Sequence, residues 1–155
     1  MNWIFYTFIA AGMLHVLEEY FYPGGFPNFM KRMSPAFAPF VTTSFAIIIN
    51  GLFLLLCVLA AVIGKSALVF SLSIASLLFT NGLVHILGSM RARRYAPGLI
   101  TGVLLYIPLG ITAYSLFWNS GELSINQGIV SFLLGLAYQV VPIGYLGLAS
   151  LLRRA

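Results

Sequence analysis

A chain of 155 residues that is 61% hydrophobic and 7% charged cannot clothe a domain in water, because soluble domains carry about 25% charged residues. Its net charge of +5 does not point to nucleic acid, since the basic residues stand in short clusters beside apolar runs rather than along one face. The composition implies an all-α integral membrane protein, a single membrane-embedded domain over residues 1–155 with membrane lipids as constant partners.

A helix that crosses a bilayer needs about 20 mostly apolar residues, and five segments meet that need. The first, 3–20, stops before the breaker Pro23-Gly24-Gly25. It lacks the basic start of a cleaved signal and is expected to be retained. The connection that follows, "FYPGGFPNFMKRMSPAFAPF", suits a short interfacial helix with Phe26, Phe29, Met30 and Met33 in lipid. Such a helix serves either as an aromatic anchor or as a lid. The second span, 39–63, ends at Gly64-Lys65 and contains the lone cysteine, Cys57, a small packing residue that excludes an intrachain disulfide. The third, 67–90, ends at "RARR". Its Ser71, Ser73, Ser76 and Thr80 are expected to bond back to their own helix. The fourth, 97–118, carries Gly98 and Gly102 as a close-packing pair. The fifth, 127–152, stops at Arg153-Arg154, and Pro108 and Pro142 are expected to kink these last two spans.

Five alternating spans place Lys31, Arg32, Arg91, Arg93, Arg94, Arg153 and Arg154 on one side and only Lys65 on the other. The positive-inside rule then puts the N-terminus outside and the C-terminus in the cytoplasm, as in a cytoplasmic (bacterial inner) membrane.

Two of the chain's three acidic residues are adjacent, in "HVLEE" at 15–19. On a helix Glu18 lies about 60° to one side of His15 and Glu19 about 40° to the other. In the third span Asn81 and His85, spaced i, i+4, share a face. The topology brings these five residues to similar depth near the cytoplasmic side. Tyr95, in "RRYAPG", is positioned to reach back over them.

The three patterns, His15-x-x-Glu18-Glu19, Asn81-x-x-x-His85 and Tyr95-x-Pro97-Gly98, together resemble the ordered signatures of the HXXEE-domain family of small multi-pass membrane proteins, largely bacterial. The resemblance implies that these residues form a characteristic site. It supplies no reaction.

Adjacent carboxylates repel, so at least one must be protonated, paired or metal-bound. A structural ion pair with Lys31 or the Arg91–Arg94 cluster is the plainest reading. In a metal reading His15, Glu18, Glu19 and His85 hold one divalent ion, Zn²⁺ or Fe²⁺. In a metal-free reading the same four residues are a catalytic acid–base set. Either version suits a small membrane enzyme on a lipid or isoprenoid-like substrate, with Asn81 and Tyr95 binding that substrate. The alternative is a non-enzymatic protein that binds or transports ions or protons. The polar residues gather in one leaflet, which favours a one-sided pocket over a through-path. A homo-oligomer is compatible with every one of these readings.

Overall fold

A computed structural model describes residues 2–22 and 24–153; Pro23 of the expected breaker and Arg154 of the terminal basic pair lie outside them. Among the described residues every regular element is helical. The order is α1 (Trp3–Phe21), α2 (Gly25–Met33), α3 (Thr43–Ile63), a 3-10 turn (Gly64–Ala67), α4 (Leu68–Ala92), α5 (Leu99–Thr101), a π-helical turn (Gly102–Tyr106), α6 (Ile107–Asn119) and α7 (Ile125–Leu152).

Local chemistry sets the boundaries. Thr42 caps α3 by accepting the Phe45 N–H at 3.1 Å, so that helix begins a turn later than its apolar run. Gly64, at φ 55° and ψ −131°, ends it in a conformation that side chains disfavour. The Ser71 hydroxyl then donates to the freed Gly64 carbonyl at 2.8 Å. Ser124 and Gln127 form a capping box at the start of α7.

Contacts along the helices show that chain direction alternates. Asn2 abuts Gly64, while Asn50 of α3 bonds Glu19 of α1, so α1 and α3 are antiparallel. Phe5 stacks on Phe117 and His15 on Tyr106, with centroids 5.5 and 4.3 Å apart, so the 99–119 helix also opposes α1. Ser76 donates to the Phe132 carbonyl and Asn81 to Gln139, so α7 runs parallel to α4. Lys65 pairs with Glu122, which joins the α3–α4 turn to the α6–α7 loop at one end. The other basic residues that are described, Lys31, Arg32, Arg91, Arg93, Arg94 and Arg153, belong to the opposite end.

Three helical stretches are long and apolar enough to cross a membrane: Thr43–Ala92, Leu99–Asn119 and Ile125–Leu152. The first is two helices, α3 and α4, folded back at Gly64. Large apolar side chains stand on the outside, among them Ile47, Ile48 and Leu55 of α3 and Val140, Val141 and Leu148 of α7. Ser71, Ser73, Ser76 and His85 are buried within. An apolar exterior around a partly polar interior is the distribution expected in lipid rather than water.

α4 is the central helix and meets its neighbours across glycine. A Cβ on Gly135 of α7 would lie 2.4 Å from the Ser73 carbonyl oxygen, and one on Gly82 would lie 2.9 Å from the carbonyl oxygen of Gly102. Helices approach this closely only where one side lacks a side chain.

Two expectations change. Phe26, Phe29 and Met30 of α2 do not face lipid: Phe29 is buried, and Phe26 lies against the His85 ring at 5.2 Å. Phe26 and Met30 also line an interior cavity. A 9-residue helix with this apolar stripe finds a protein groove to cover, and its basic face stays outward. Ser73 and Thr80 bond back within α4, but Ser71 and Ser76 reach other elements. The fourth span is not uniformly α-helical, because the π-helical turn at Gly102–Tyr106 precedes Pro108 in the first turn of α6. Proline lacks the N–H that would continue the α ladder, and a π turn adds a residue and re-aims the side chains around it.

Candidate metal centre

The two carboxylates of "HVLEE" take different surroundings. Glu19 points inward, 5% exposed. Its Oε2 accepts from Asn50 Nδ2 at 2.9 Å. Its Oε1 lies 3.5 Å from His15 Nε2 and 3.4 Å from His85 Nε2. One donor atom from each of these three residues falls within 4.8 Å of the others.

Glu18 faces the start of the fourth span. Oε1 accepts from the Gly98 and Ile100 N–H groups, each at 3.0 Å, and from the Tyr95 hydroxyl. Oε2 accepts from the Thr101 N–H at 2.8 Å and the Thr101 hydroxyl at 2.5 Å. Five donors therefore occupy the Glu18 carboxylate, and it stands outside the His–Glu cluster. Among the described residues no Lys or Arg pairs with either glutamate.

Glu18 reaches the cluster through Thr101. The single proton of that hydroxyl goes to Glu18, so its oxygen accepts from His15 Nδ1, 2.8 Å away. With Nδ1 protonated, the neutral imidazole presents a lone pair at Nε2, toward Glu19. A lone pair facing a carboxylate oxygen needs a positive charge between them, either a proton or a cation.

His15 Nε2 and both ring nitrogens of His85 are buried without a hydrogen-bond partner. The Nε2-to-oxygen separations of 3.4–3.5 Å are long for a hydrogen bond. They match the ~3.3 Å between two donor atoms held by one tetrahedral ion at bonds of ~2.0–2.1 Å.

Gly98 makes the rings' approach feasible. A Cβ there would sit 2.6 Å from His85 Cε1 and 2.7 Å from His15 Cε1. The residue is also at φ 95°, where a side chain is disfavoured. The ring centroids come within 4.8 Å, edge to face.

Tyr95, in the loop before α5, packs at a tilt against Tyr22, ring centroids 4.4 Å apart, while it donates to Glu18. Burial, and after it the Glu18 carboxylate, pushes the Tyr95 phenol above its usual range, so the group stays a donor. Asn81 donates to Gln139 Oε1 at 3.2 Å, and its own Oδ1 has no partner. The geometry thus gathers His15, Glu19, His85 and Asn81 at one cavity, of about 320 Å³. Glu18 and Tyr95 join behind them.

Four residues enter that were not among the expected site residues. Asn50 and Gln139 are amides inside apolar runs, and that is a legible signal. Thr101 lies three residues after Gly98, one helical turn on, which is a faint one. Tyr106, fully buried, is a polar group at the depth of those amides; it ends the π turn and lies against the face of His15.

The Tyr106 hydroxyl also lacks a partner, and an unsatisfied buried group costs about 1–3 kcal/mol. Tyr106→Phe should therefore raise the thermal midpoint of the metal-free protein and leave metal content unchanged. A lower midpoint would mean that the hydroxyl holds a partner in the folded protein.

Residues 6–113, well over half of the chain, match the family model described as "Protein of unknown function with HXXEE motif". No curated protein and no solved structure matches the chain.

Proposed function

The chain belongs to the HXXEE family, and from that premise we propose that it is a membrane-embedded, metal-dependent enzyme acting on a lipid or isoprenoid-like substrate. The observation that carries the proposal is the convergence of two unsatisfied imidazole nitrogens, His15 Nε2 and His85 Nε2, on one carboxylate oxygen at ligand-to-ligand spacing. His15 and His85 would supply two nitrogen ligands and Glu19 one oxygen, a set that suits Zn²⁺ or Fe²⁺ and leaves coordination positions open. Such an ion polarises a carbonyl or activates water at neutral pH.

The other residues of the motifs serve these three. Asn50 ties up Glu19 Oε2 and leaves Oε1 to the ion. Glu18, through Thr101, fixes the His15 tautomer, as the second layer around a metal commonly does. Asn81 and the cavity beside it receive the substrate, and Tyr95 helps to hold Glu18 in place.

In this reading all five long helices cross the bilayer, α1 among them. The end that bears Arg91–Arg94 is cytoplasmic and the N-terminus lies outside. The alternating helix directions and the charge distribution between the two ends support that orientation. The centre then opens in the cytoplasmic half of an inner membrane.

Proteoliposomes made with a bacterial lipid extract test the function. After chelation and re-addition of metal, mass spectrometry should find lipid species consumed by the wild type and untouched by Glu19→Gln. Glu19-dependent ion flux across sealed vesicles, without lipid turnover, would assign the site to transport instead.

A further inference from the structure

We propose that the cavity beside the His–Glu cluster accepts one single-chain amphiphile with an uncharged head that donates a hydrogen bond, a long-chain alcohol or amide, admitted sideways between α3 and α7. This rests on the reading of the cluster as the active centre of a membrane protein.

The cavity runs between α3 and α7 and is lined mostly by aliphatic side chains. Three of its lining residues, Leu52 of α3 and Val141 and Ile143 of α7, are 53%, 67% and 41% exposed. A cavity wall that is also outer surface marks an opening on the bundle's flank, where hydrocarbon lies. Toward the basic end the two helices meet again, through Phe45 stacked on Tyr145 at 6.0 Å. The opening is thus lateral, facing lipid chains rather than the aqueous end.

The polar wall selects the head group. It consists of the cluster, three amides, Asn50, Asn81 and Gln139, and two tyrosines, Tyr106 and Tyr138. Asn50 is committed to Glu19, and Asn81 Nδ2 to Gln139. Outside the cluster, among the described residues, two buried side-chain atoms lack a partner: the Tyr106 hydroxyl, which can donate or accept, and Asn81 Oδ1, an acceptor with no donor. An O–H or N–H on the ligand supplies what Asn81 Oδ1 lacks.

A phosphate or carboxylate head finds no counter-charge among the side chains that line the cavity. No Lys or Arg lines this cavity, and Arg91 lines an adjoining one under α2 that shares Phe26, Met30, Val84 and His85 with it. In the metal-free chain, burying an anion beside Glu19 is strongly unfavourable. A cationic head would compete with the ion for Glu19 Oε1. Size sets the remaining limit: 320 Å³ is at the lower end of the ~300–1,000 Å³ of ligand pockets. One chain fits there and a two-tailed lipid does not.

Native mass spectrometry of the purified full chain, with dodecanamide, 1-dodecanol and dodecyl phosphate as probes, tests the proposal. One amide or alcohol should bind per chain. Asn81→Leu should weaken that binding roughly tenfold, the loss of one buried hydrogen bond, with metal content unchanged. Should Asn81→Leu fail to fold, Ala46→Phe, which fills the cavity from α3, should abolish binding of the same probes. Dodecyl phosphate binding to the chelator-treated chain as tightly as the alcohol, or amide binding that neither substitution affects, overturns the proposal. Amide binding as expected in a chain that never holds metal would support this cavity assignment and refute the metal centre alone.

Discussion

Gly98→Ala should strip the protein of bound metal, lowering occupancy at least tenfold, and destabilise it by about 2–5 kcal/mol. Two effects add. A non-glycine residue in the left-handed region costs roughly 1–2 kcal/mol, and Gly98 is at φ 95°. The new methyl would also press on both imidazoles, 2.6 and 2.7 Å from their Cε1 atoms. Overpacking of this kind costs about 1–3 kcal/mol. The backbone cannot retreat cheaply, because the Gly98 N–H is held by Glu18. Gly121→Ala separates the two effects. Gly121 is at φ 72° with nothing within 4 Å of the position its Cβ would take. It should cost only the backbone part and leave metal content intact. Equal metal in the Gly98 and Gly121 variants would mean that Gly98 does not set the spacing of the histidines.

The adjacent glutamates should give opposite phenotypes. Glu18→Gln replaces a carboxylate that accepts five hydrogen bonds with an amide that accepts on one side only. At least two bonds to Thr101 or its neighbours are lost, and bonds to charged groups contribute about 1.5–3 kcal/mol each. The variant should be destabilised by roughly 3 kcal/mol or more, with metal bound more weakly because the His15 tautomer is no longer fixed. Glu19→Gln removes one ligand and little else, since Asn50 is its only conventional hydrogen-bond donor. Taking away a buried carboxylate relieves its desolvation. The metal-free protein should keep its stability within about 1 kcal/mol while metal is lost. Denaturation curves and metal analysis of the two variants decide the assignment. A severe stability loss in Glu19→Gln with intact metal would exchange the two roles.

The long helices were legible because each is an apolar run bounded by a charge or a breaker. The largest offset, at the start of α3, comes from the Thr42 cap, a local bond that hydropathy does not register. The meeting of His15 with His85 was legible too, from helical spacing together with alternating direction. The division of labour between Glu18 and Glu19 was not. On a helical wheel they flank His15 almost symmetrically, and the group that captures Glu18 is mainly backbone N–H, which every sequence possesses. The azimuth of Tyr106 was hidden because a π turn shifts it away from the regular 3.6-residue count. The inward face of α2 was misassigned for a related reason. An amphipathic helix has the same pattern whether its apolar stripe meets lipid or a protein groove.

The central claim, one divalent ion held by His15, Glu19 and His85, is tested most directly by elemental analysis of the purified chain beside His85→Ala and Glu19→Gln. The wild type should carry one equivalent of zinc or iron per chain, and both variants less than about a tenth of that, consistent with the dependence of tight binding on a complete ligand set. A wild type that holds no metal after purification in chelator-free buffer and incubation with either ion, or variants that hold as much as the wild type, would contradict it.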